Sequence, residues 1–216
     1  MRNPNESLDN RHELYCGESG SGKTQAMGQS EHLKKKSNKI ILWDTHASFK
    51  AQQFNNMLDM VDAIEAGEKK KGGYRIAYTG PKSMAAFEYL CKAVKIVLDG
   101  SKPHVFCVDE LASVADVIGK DKSTFGDLLR ESRKFNLVIV CSATRAAEIP
   151  KTIFTQCKTK AIGAQGSKSD ANTMADFLQI DYRLLFDTEL KPLHFWIKRP
   201  NTAAAKSVIK YKKPPL

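Results

Sequence analysis

The stretch GESGSGKT, residues 17–24, constrains the fold more than any other part of this chain. It fits the pattern GxxxxGK followed by Ser or Thr, which places glycine at both ends of a four-residue gap. A strand-like run ends at Cys16 just before it, and a helical pattern begins at Lys23. The motif therefore predicts a strand, a glycine-rich phosphate-binding loop (P-loop) and a helix in direct succession.

A loop of this kind binds the phosphates of a nucleotide. Its glycines let backbone N–H groups curl around phosphate oxygens, and the N-terminus of the next helix adds a positive dipole end. We expect Lys23 to contact the terminal phosphates and the Thr24 hydroxyl to ligate Mg²⁺. A glycine-rich turn that only caps a helix is the structural alternative. The residues predicted to bind ATP are Gly17, Glu18, Ser19, Gly20, Ser21, Gly22, Lys23, Thr24 and Gln25.

A second motif, VFCVDE at residues 105–110, is an apolar strand that ends in two acids. The carboxyl ends of strands meet the nucleotide in an open α/β sheet. Asp109 is therefore predicted to hold Mg²⁺, largely through water, and Glu110 to orient and deprotonate an attacking water. The alternative for Glu110 is an acid that starts a helix. Together the two motifs are the Walker A and Walker B motifs of an ATPase that uses ATP and Mg²⁺.

The remaining sequence alternates apolar runs with longer helical patterns. Runs that are apolar on both faces, such as IILW, VFCV and LVIV, suit a parallel sheet covered by helices on both sides. The fold class predicted is α/β: a three-layer, RecA-like P-loop NTPase with a mostly parallel central sheet. The predicted strands cover residues 12–16, 39–44, 74–78, 104–109, 137–142, 158–162 and 193–198, and the predicted helices cover 23–36, 51–66, 83–98, 122–135 and 169–178.

The chain length and the distribution of polar, basic and proline residues indicate one folded domain with two extensions. With 216 residues, 42% of them hydrophobic, the chain can build one large core. Residues 1–10 are predicted to be a flexible polar lead-in, residues 11–199 a single P-loop ATPase domain, and residues 200–216 a basic C-terminal tail. No apolar run approaches the length of a membrane span, so we expect a soluble intracellular protein without a transmembrane segment.

The charge balance favours a polyanionic partner. The formal net charge is +10, with lysines gathered at residues 34–36, at residues 69–71 and in the tail KYKKPPL. Cationic side chains neutralise phosphates and release counterions, so the whole-chain bias favours nucleic acid. For any single cluster, solvated helix ends and loops are the alternative.

The P-loop, the strand ending in Asp109 and Glu110, and then RESRKFNLVIVCSATR at residues 130–145 occur in that order. In this they resemble the FtsK/HerA branch of P-loop ATPases. The similarity spans roughly residues 12–165 and includes IILWDTHASFK. It implies that the strand over residues 137–142 lies between the Asp109 strand and the P-loop strand, with its polar end facing the γ-phosphate.

The resemblance also suggests further catalytic residues. Thr144 stands where the branch usually has Gln, which makes it the expected sensor of the phosphate or the lytic water, with Arg145 as a competing candidate. Arg130 and Arg133 would lie at a subunit boundary, where a guanidinium can enter the neighbouring site. The alternative for both is an exposed helix residue, with Arg133 paired locally to Glu131 or Asp127.

A short chain of this branch, without additional domains, resembles the genome-packaging ATPases of membrane-containing icosahedral viruses with double-stranded DNA. The resemblance implies a homo-oligomeric ring, expected to be a hexamer, that couples ATP hydrolysis to threading double-stranded DNA into a preformed capsid. The expected location is the packaging vertex of the virion and the host cytoplasm, with viral vertex or membrane proteins as further partners. The alternatives are a filamentous-phage assembly or conjugation-type motor, a small-molecule P-loop kinase, and a nucleotide-gated nucleic-acid binder.

Overall fold

A single sheet runs through the computed structural model, which describes residues 3–114, 122–186 and 190–213. Across these residues the sheet has nine strands. They are β1 (Glu13–Cys16), β2 (Lys39–Trp43), β3 (Gln52–Phe54), β4 (Tyr74–Tyr78), β5 (His104–Val108), β6 (Leu137–Ala143), β7 (Thr159–Ile162), β8 (His194–Lys198) and β9 (Ala205–Val208).

The sheet is mostly parallel, as predicted. Its strand order is β3-β4-β2-β5-β6-β1-β7-β8-β9. All pairings from β3 to β7 along this order are parallel, and β8 and β9 add an antiparallel edge. β6 lies between β5 and β1, which confirms the order that the resemblance implied. Cys16 pairs with Ala143 and Val108 with Cys141, so these three strands end at the same edge of the sheet.

Seven α-helices connect the strands in the described part of the chain. They are α1 (Lys23–Met27), α2 (Glu31–Lys34), α3 (Met57–Lys69), α4 (Met84–Val97), α5 (Thr124–Glu131), α6 (Lys151–Gln156) and α7 (Lys168–Leu178). Short 3₁₀ turns cover Leu111–Ser113, Ser132–Phe135, Ala146–Glu148 and Tyr182–Leu184. In the described ranges, no helix is both long and apolar enough to cross a bilayer.

Helices cover both faces of the sheet. Successive side chains of a strand point to opposite faces, and β2 illustrates the result. Ile41 and Trp43 lie in a large core with buried residues of α3, α4, α5, α6 and α7, whereas Ile40 and Leu42 lie in a smaller core with residues of α1 and α2. The predicted three-layer architecture is therefore confirmed, with most of the helical mass on one face.

Two of the predicted helices differ from the structure at points where side chains cap the backbone. The helix predicted over residues 23–36 is divided into α1 and α2, because Ser30 accepts a hydrogen bond from the His32 N–H and starts a new helix. The helix predicted over residues 51–66 was wrong at its start, where residues 52–54 form β3. Asn56 accepts hydrogen bonds from the Leu58 and Asp59 N–H groups and begins α3 only there.

Other differences come from short or weakly apolar segments. The helix predicted over residues 122–135 is α5 followed by a 3₁₀ turn, and α6 was missed because six residues carry little periodicity. β9 was missed because Ala205, Lys206 and Val208 are exposed on this edge strand, which leaves no apolar alternation.

Parts of both predicted extensions join the folded domain. β9 pairs with β8, so the sheet continues beyond the predicted domain boundary at residue 199. At the other end, the Asn3 N–H donates to the Asp99 carbonyl at 2.8 Å and the Asn5 N–H donates to the Lys134 carbonyl at 2.7 Å. The lead-in and the tail therefore both have specific hydrogen-bond partners in the domain.

His12 explains why the first strand begins with polar residues. The side chain is fully buried, and its Nδ1 accepts a hydrogen bond from the Ile139 N–H at 3.0 Å, which fixes the start of β1 beside β6. Burial lowers the pKa of His12 to about 4. The neutral imidazole is therefore the form that the folded protein holds.

Acid should destabilise the fold through His12. An unfolded histidine has a pKa of about 6.5, so the unfolded chain binds the extra proton at pH values between roughly 4 and 6.5. The contribution of His12 is therefore complete above this range and is lost as the pH falls through it. We expect the free energy of unfolding to drop by about 2 kcal/mol from this group between pH 7 and pH 4.5.

The measurement is urea denaturation at both pH values for the wild type and His12→Asn, whose amide oxygen can still accept the Ile139 N–H. The variant should be less stable at pH 7 but should lose less stability on acidification. An identical loss in the two proteins would contradict the role given to His12.

Candidate active site

The loop between β1 and α1 has a backbone that only glycine adopts readily. Gly20 and Gly22 have φ angles of 82° and 92°, in the left-handed region. A Cβ on Gly22 would also lie 2.6 Å from Leu193 Cδ2. The base of the loop is tied to neighbouring strand ends, because the Glu18 N–H donates to the Ala164 carbonyl at 2.7 Å. The motif residues therefore form a fixed loop at the carboxyl edge of the sheet.

A cleft of about 320 Å³ opens beside this loop. Its walls include most P-loop residues from Ser19 to Gln25, with the exception of Ser21, together with the acidic pair Asp109 and Glu110 and with His46. The structure thus brings residues of the two sequence motifs together around one cavity.

The Lys23 side chain extends back over the loop. Its Nζ donates to the carbonyl oxygens of Gly17 at 2.8 Å and of Glu18 at 3.1 Å. These bonds hold an ammonium group above the backbone that would surround a phosphate. This is the position from which Lys23 can contact phosphate oxygens.

Asp109 lies opposite Thr24 across the cleft. Its Oδ2 is 3.4 Å from Thr24 Oγ1, and its Oδ1 accepts a hydrogen bond from Ser142 Oγ at 2.7 Å. Burial raises the pKa of Asp109, and the nearby carboxylates of Asp44 and Glu110 add to the increase. A divalent cation would offset this repulsion and favour the charged carboxylate. The hydroxyl and carboxylate oxygens of Thr24 and Asp109 therefore fit Mg²⁺ as ligands.

Glu110 is held in place by the end of β6. Its N–H donates to Ser142 Oγ at 2.9 Å, and its Oε2 accepts from Thr144 Oγ1 at 2.9 Å. Its φ of 63° is unusual for a residue other than glycine, and such strain is typical of functional positions. The other oxygen, Oε1, is buried, and no group of the described residues hydrogen-bonds it. The carboxylate is thus oriented, and one of its oxygens keeps an unused acceptor.

The structure distinguishes Thr144 from Arg145, the two candidates for the sensor residue at the end of β6. Thr144 contacts Glu110 directly. The Arg145 side chain instead binds Asp170, with Nε 3.1 Å from Oδ2, and lies 3.6 Å from Glu148. Thr144 is therefore the residue that joins the acidic pair.

Sequence reasoning missed the role of Ser142. This hydroxyl donates to Asp109 and accepts from the N–H of Glu110, so it connects the two acids to β6. Its signal in the sequence is its position two residues before Thr144, which places both side chains on the same face of the strand.

Arg130 and Arg133 do not line the cleft of their own chain. Both precede β6, at the opposite end from the cleft. Arg130 Nη2 lies 2.8 Å from Asp127 Oδ1 on α5. Arg133 donates to the carbonyls of Glu6 at 2.9 Å and Leu8 at 2.6 Å, so it anchors the lead-in instead of pairing with Glu131 or Asp127.

Gln25 lies in the cleft wall, but its amide binds the C-terminal segment. Its Nε2 donates to the Lys212 carbonyl at 2.6 Å, and its Oε1 accepts from the Lys212 N–H at 2.8 Å. Gln29, one turn later, donates to the Lys210 carbonyl. The segment after β9 therefore runs along α1, a contact between residues far apart in the chain that no local pattern indicates.

His46 reaches the cleft through the loop after β2. Asp44 forms that loop by accepting hydrogen bonds from the N–H groups of Ser48 and Phe49, both at 2.9 Å. His46 Nε2 lies 3.0 Å from Lys82 Nζ. At the polar end of the second strand, His46 therefore lines the cleft, whereas Asp44 shapes the loop that carries it.

Two solved viral structures share this fold. The genome packaging NTPase B204 from Sulfolobus turreted icosahedral virus 2, in complex with AMPPCP, has a TM-score of 0.71 at 16% identity, covering 94% of this chain and 99% of that chain. B204, the DNA-packaging ATPase from Sulfolobus Turreted Icosahedral Virus, has a TM-score of 0.68 at 14% identity, covering 97% and 100%. The predicted P-loop fold class, and its resemblance to viral packaging ATPases, are confirmed.

One curated relative is similar in sequence over nearly the whole chain, whereas no protein-family model matches. Protein P9 of Pseudoalteromonas phage PM2 is 31% identical over 214 residues, which cover 95% of this chain and 94% of that protein. The chain therefore belongs to the family of protein P9 of phage PM2.

Proposed function

We propose that this protein is an ATP-driven translocase of double-stranded DNA that packages a viral genome into a preformed capsid. The observation that carries the proposal is the position of Glu110, oriented by Ser142 and Thr144 in the cleft of the P-loop. The structural neighbours support it, since one is described as a genome packaging NTPase and another as a DNA-packaging ATPase.

The P-loop residues bind the phosphates of ATP in this account. Lys23 exchanges its bonds to loop carbonyls for bonds to phosphate oxygens, and backbone N–H groups of the loop surround them. Thr24 and Asp109 would hold Mg²⁺, Asp109 largely through water. Mg²⁺, when bound, neutralises charge on the phosphate oxygens.

Glu110 acts as the base in hydrolysis to ADP and phosphate. Its free oxygen Oε1 accepts a proton from the attacking water, while Thr144 keeps the other oxygen in place. Ser142 links the N–H of Glu110 to Asp109, so the position of the base relative to the metal-binding acid is fixed.

Ring assembly completes the site. Among the described residues, no arginine lines the cleft, yet transition-state charge in phosphoryl transfer is commonly stabilised by an arginine. We assign this role to Arg130 of a neighbouring subunit in a homo-oligomeric ring, for which six subunits are expected. Arg133 is the weaker candidate because it anchors the lead-in through the carbonyls of Glu6 and Leu8, whereas the ion pair of Arg130 with Asp127 stays within α5. The ring acts at the packaging vertex during assembly in the host cytoplasm, where viral vertex or membrane proteins are its further partners.

Substitutions at the two motifs should separate binding from hydrolysis. Lys23→Ala should lose both nucleotide binding and phosphate release. Glu110→Gln should still bind ATP but release phosphate at least 100-fold more slowly, because an amide cannot accept the proton. Phosphate release and binding of a fluorescent ATP analogue measure the two steps.

Glu65→Gln, on the exposed surface of α3, makes the same chemical change away from the cleft and should keep wild-type turnover. Unchanged turnover in Glu110→Gln would disprove its assignment as the base.

The trans role of Arg130 can be tested by mixing variants. Arg130→Ala and Glu110→Gln should each be inactive alone, because one lacks the arginine and the other the base. In randomly mixed rings, about a quarter of the sites combine an intact Glu110 with an intact neighbouring Arg130 and should hydrolyse ATP.

The same mixture made with Arg133→Ala is the control, since that variant should be active alone. If mixing Arg130→Ala with Glu110→Gln restores no phosphate release, Arg130 does not act across the interface.

A further inference from the structure

Two lysine-rich turns lie side by side at the amino-terminal edge of the sheet. Residues 34–36 precede β2, and residues 69–71 precede β4. Gly73 brings the turns together, because a Cβ there would lie 2.2 Å from the Lys36 carbonyl oxygen and 2.4 Å from that of Asn38. Only glycine permits such a close approach of the two backbones, so the lysines of both turns share one surface.

A groove beside these turns adds further cations. Its volume is about 590 Å³, and its lining includes Lys36, Lys50, Gln52 and Arg75. Arg75 is fixed by a hydrogen bond of 2.5 Å from its Nη2 to the Leu33 carbonyl. Among the described strands, β3 forms this edge of the sheet and pairs only with β4. The groove therefore combines three cationic side chains with the apolar lining of Ala51 and Tyr74, and it is bordered by an open strand edge.

We call this surface the basic face and define it by eight cationic residues. They are Lys34, Lys35, Lys36, Lys50, Lys69, Lys70, Lys71 and Arg75.

The acids around the basic face are already paired. Glu31 lies 3.2 Å from Lys34, and Glu68 binds Lys39, Lys102 and His104, none of which belongs to the basic face. Within the described ranges, the other six lysines of the basic face make no ion pair. Most of its positive charge is therefore uncompensated and attracts a polyanion.

The basic face is separate from the nucleotide cleft. The cleft lies where β1, β5 and β6 end, whereas the basic face lies where β2 and β4 begin. Five residues of β2 separate the two edges by about 15 Å at 3.3 Å per residue. The lysines of the two turns therefore cannot serve the phosphates of ATP in the same subunit.

We propose that the basic face binds the phosphate backbone of duplex DNA during translocation, an inference that rests on the proposed function. Flexible lysines contact phosphates as point charges without reading sequence, which suits a motor that must move along any sequence. Gln52 lines the groove with them, is exposed and can donate hydrogen bonds to phosphate oxygens.

A duplex fits the basic face better than an anionic membrane does. Peripheral membrane binding combines lysines with exposed apolar side chains that enter the lipid. The exposed neighbours of the lysine turns are instead Ser37, Gln52 and Gly72, and the apolar residues of the groove, Ala51 and Tyr74, are only partly exposed.

The experiment measures binding of a fluorescent 24-base-pair duplex to the full chain by anisotropy, without nucleotide, over a series of salt concentrations. One variant changes Lys34, Lys35 and Lys36 to Gln, and a second changes Lys69, Lys70 and Lys71 to Gln. The matched control, called the tail control, changes Lys206 in β9 and Lys210 and Lys213 after it to Gln, which removes the same charge from exposed positions away from the basic face. Melting temperature and basal ATP hydrolysis are measured for all proteins.

Each basic-face variant should bind the duplex about tenfold more weakly and lower the salt-dependence slope by about 3, because each of the three lysines neutralises one phosphate in the wild type. The tail control should change affinity by less than about threefold, and all variants should melt and hydrolyse ATP as the wild type does. Equal weakening in the tail control would mean that only net charge matters and would overturn the inference.

Binding to phosphatidylserine vesicles is measured for the same proteins. If the basic-face variants lose vesicle binding but bind the duplex as the wild type does, the inference is overturned in favour of a membrane surface. If the wild type hydrolyses ATP but binds no duplex, DNA binding by the basic face is disproved and the assignment as an ATPase stands. A wild type that binds the duplex through the basic face but does not hydrolyse ATP would overturn the proposed function alone.

Discussion

The placement of β6 between β5 and β1 is the constraint on which the candidate site depends. The three strands are parallel and end at one edge, so the segments that follow them meet there. Ser142 then connects Asp109 to Glu110, and Thr144 holds the Glu110 carboxylate. A different strand order would leave the P-loop and the acidic pair without this shared support. The hydrogen bonds from β6 are what turn two separate motifs into one site.

The sheet also separates the two proposed activities in space. The proposed ATP site lies at the carboxyl edge, and the proposed duplex-binding surface, the basic face, lies at the amino edge. Short parallel strands with both faces buried connect the two edges. Such strands are stiff because their side chains are packed in both cores. A displacement at the cleft would therefore move the basic face as part of one body.

Much of the fold and the centre of the site could be predicted because the signals are local. Apolar runs such as VFCV predicted the parallel strands, and GESGSGKT and the acids after β5 located the cleft. The contacts that escaped prediction join distant segments: Gln25 to Lys212, Arg133 to Glu6, and Ser142 to Asp109. No short stretch of the sequence indicates such pairs, because they form only when the tertiary fold brings the segments together. For the same reason β9, an exposed edge strand, was assigned to a tail.

The most direct test of the central claim is steady-state hydrolysis of ATP by Thr144→Val. This change keeps the shape of the side chain and removes the hydroxyl that donates to Glu110. If β6 orients the base, kcat should fall about tenfold while the KM for ATP stays the same, because the missing bond acts on the reacting step and not on ATP binding. A variant with the kcat of the wild type would contradict the claim that the end of β6 positions Glu110 for catalysis.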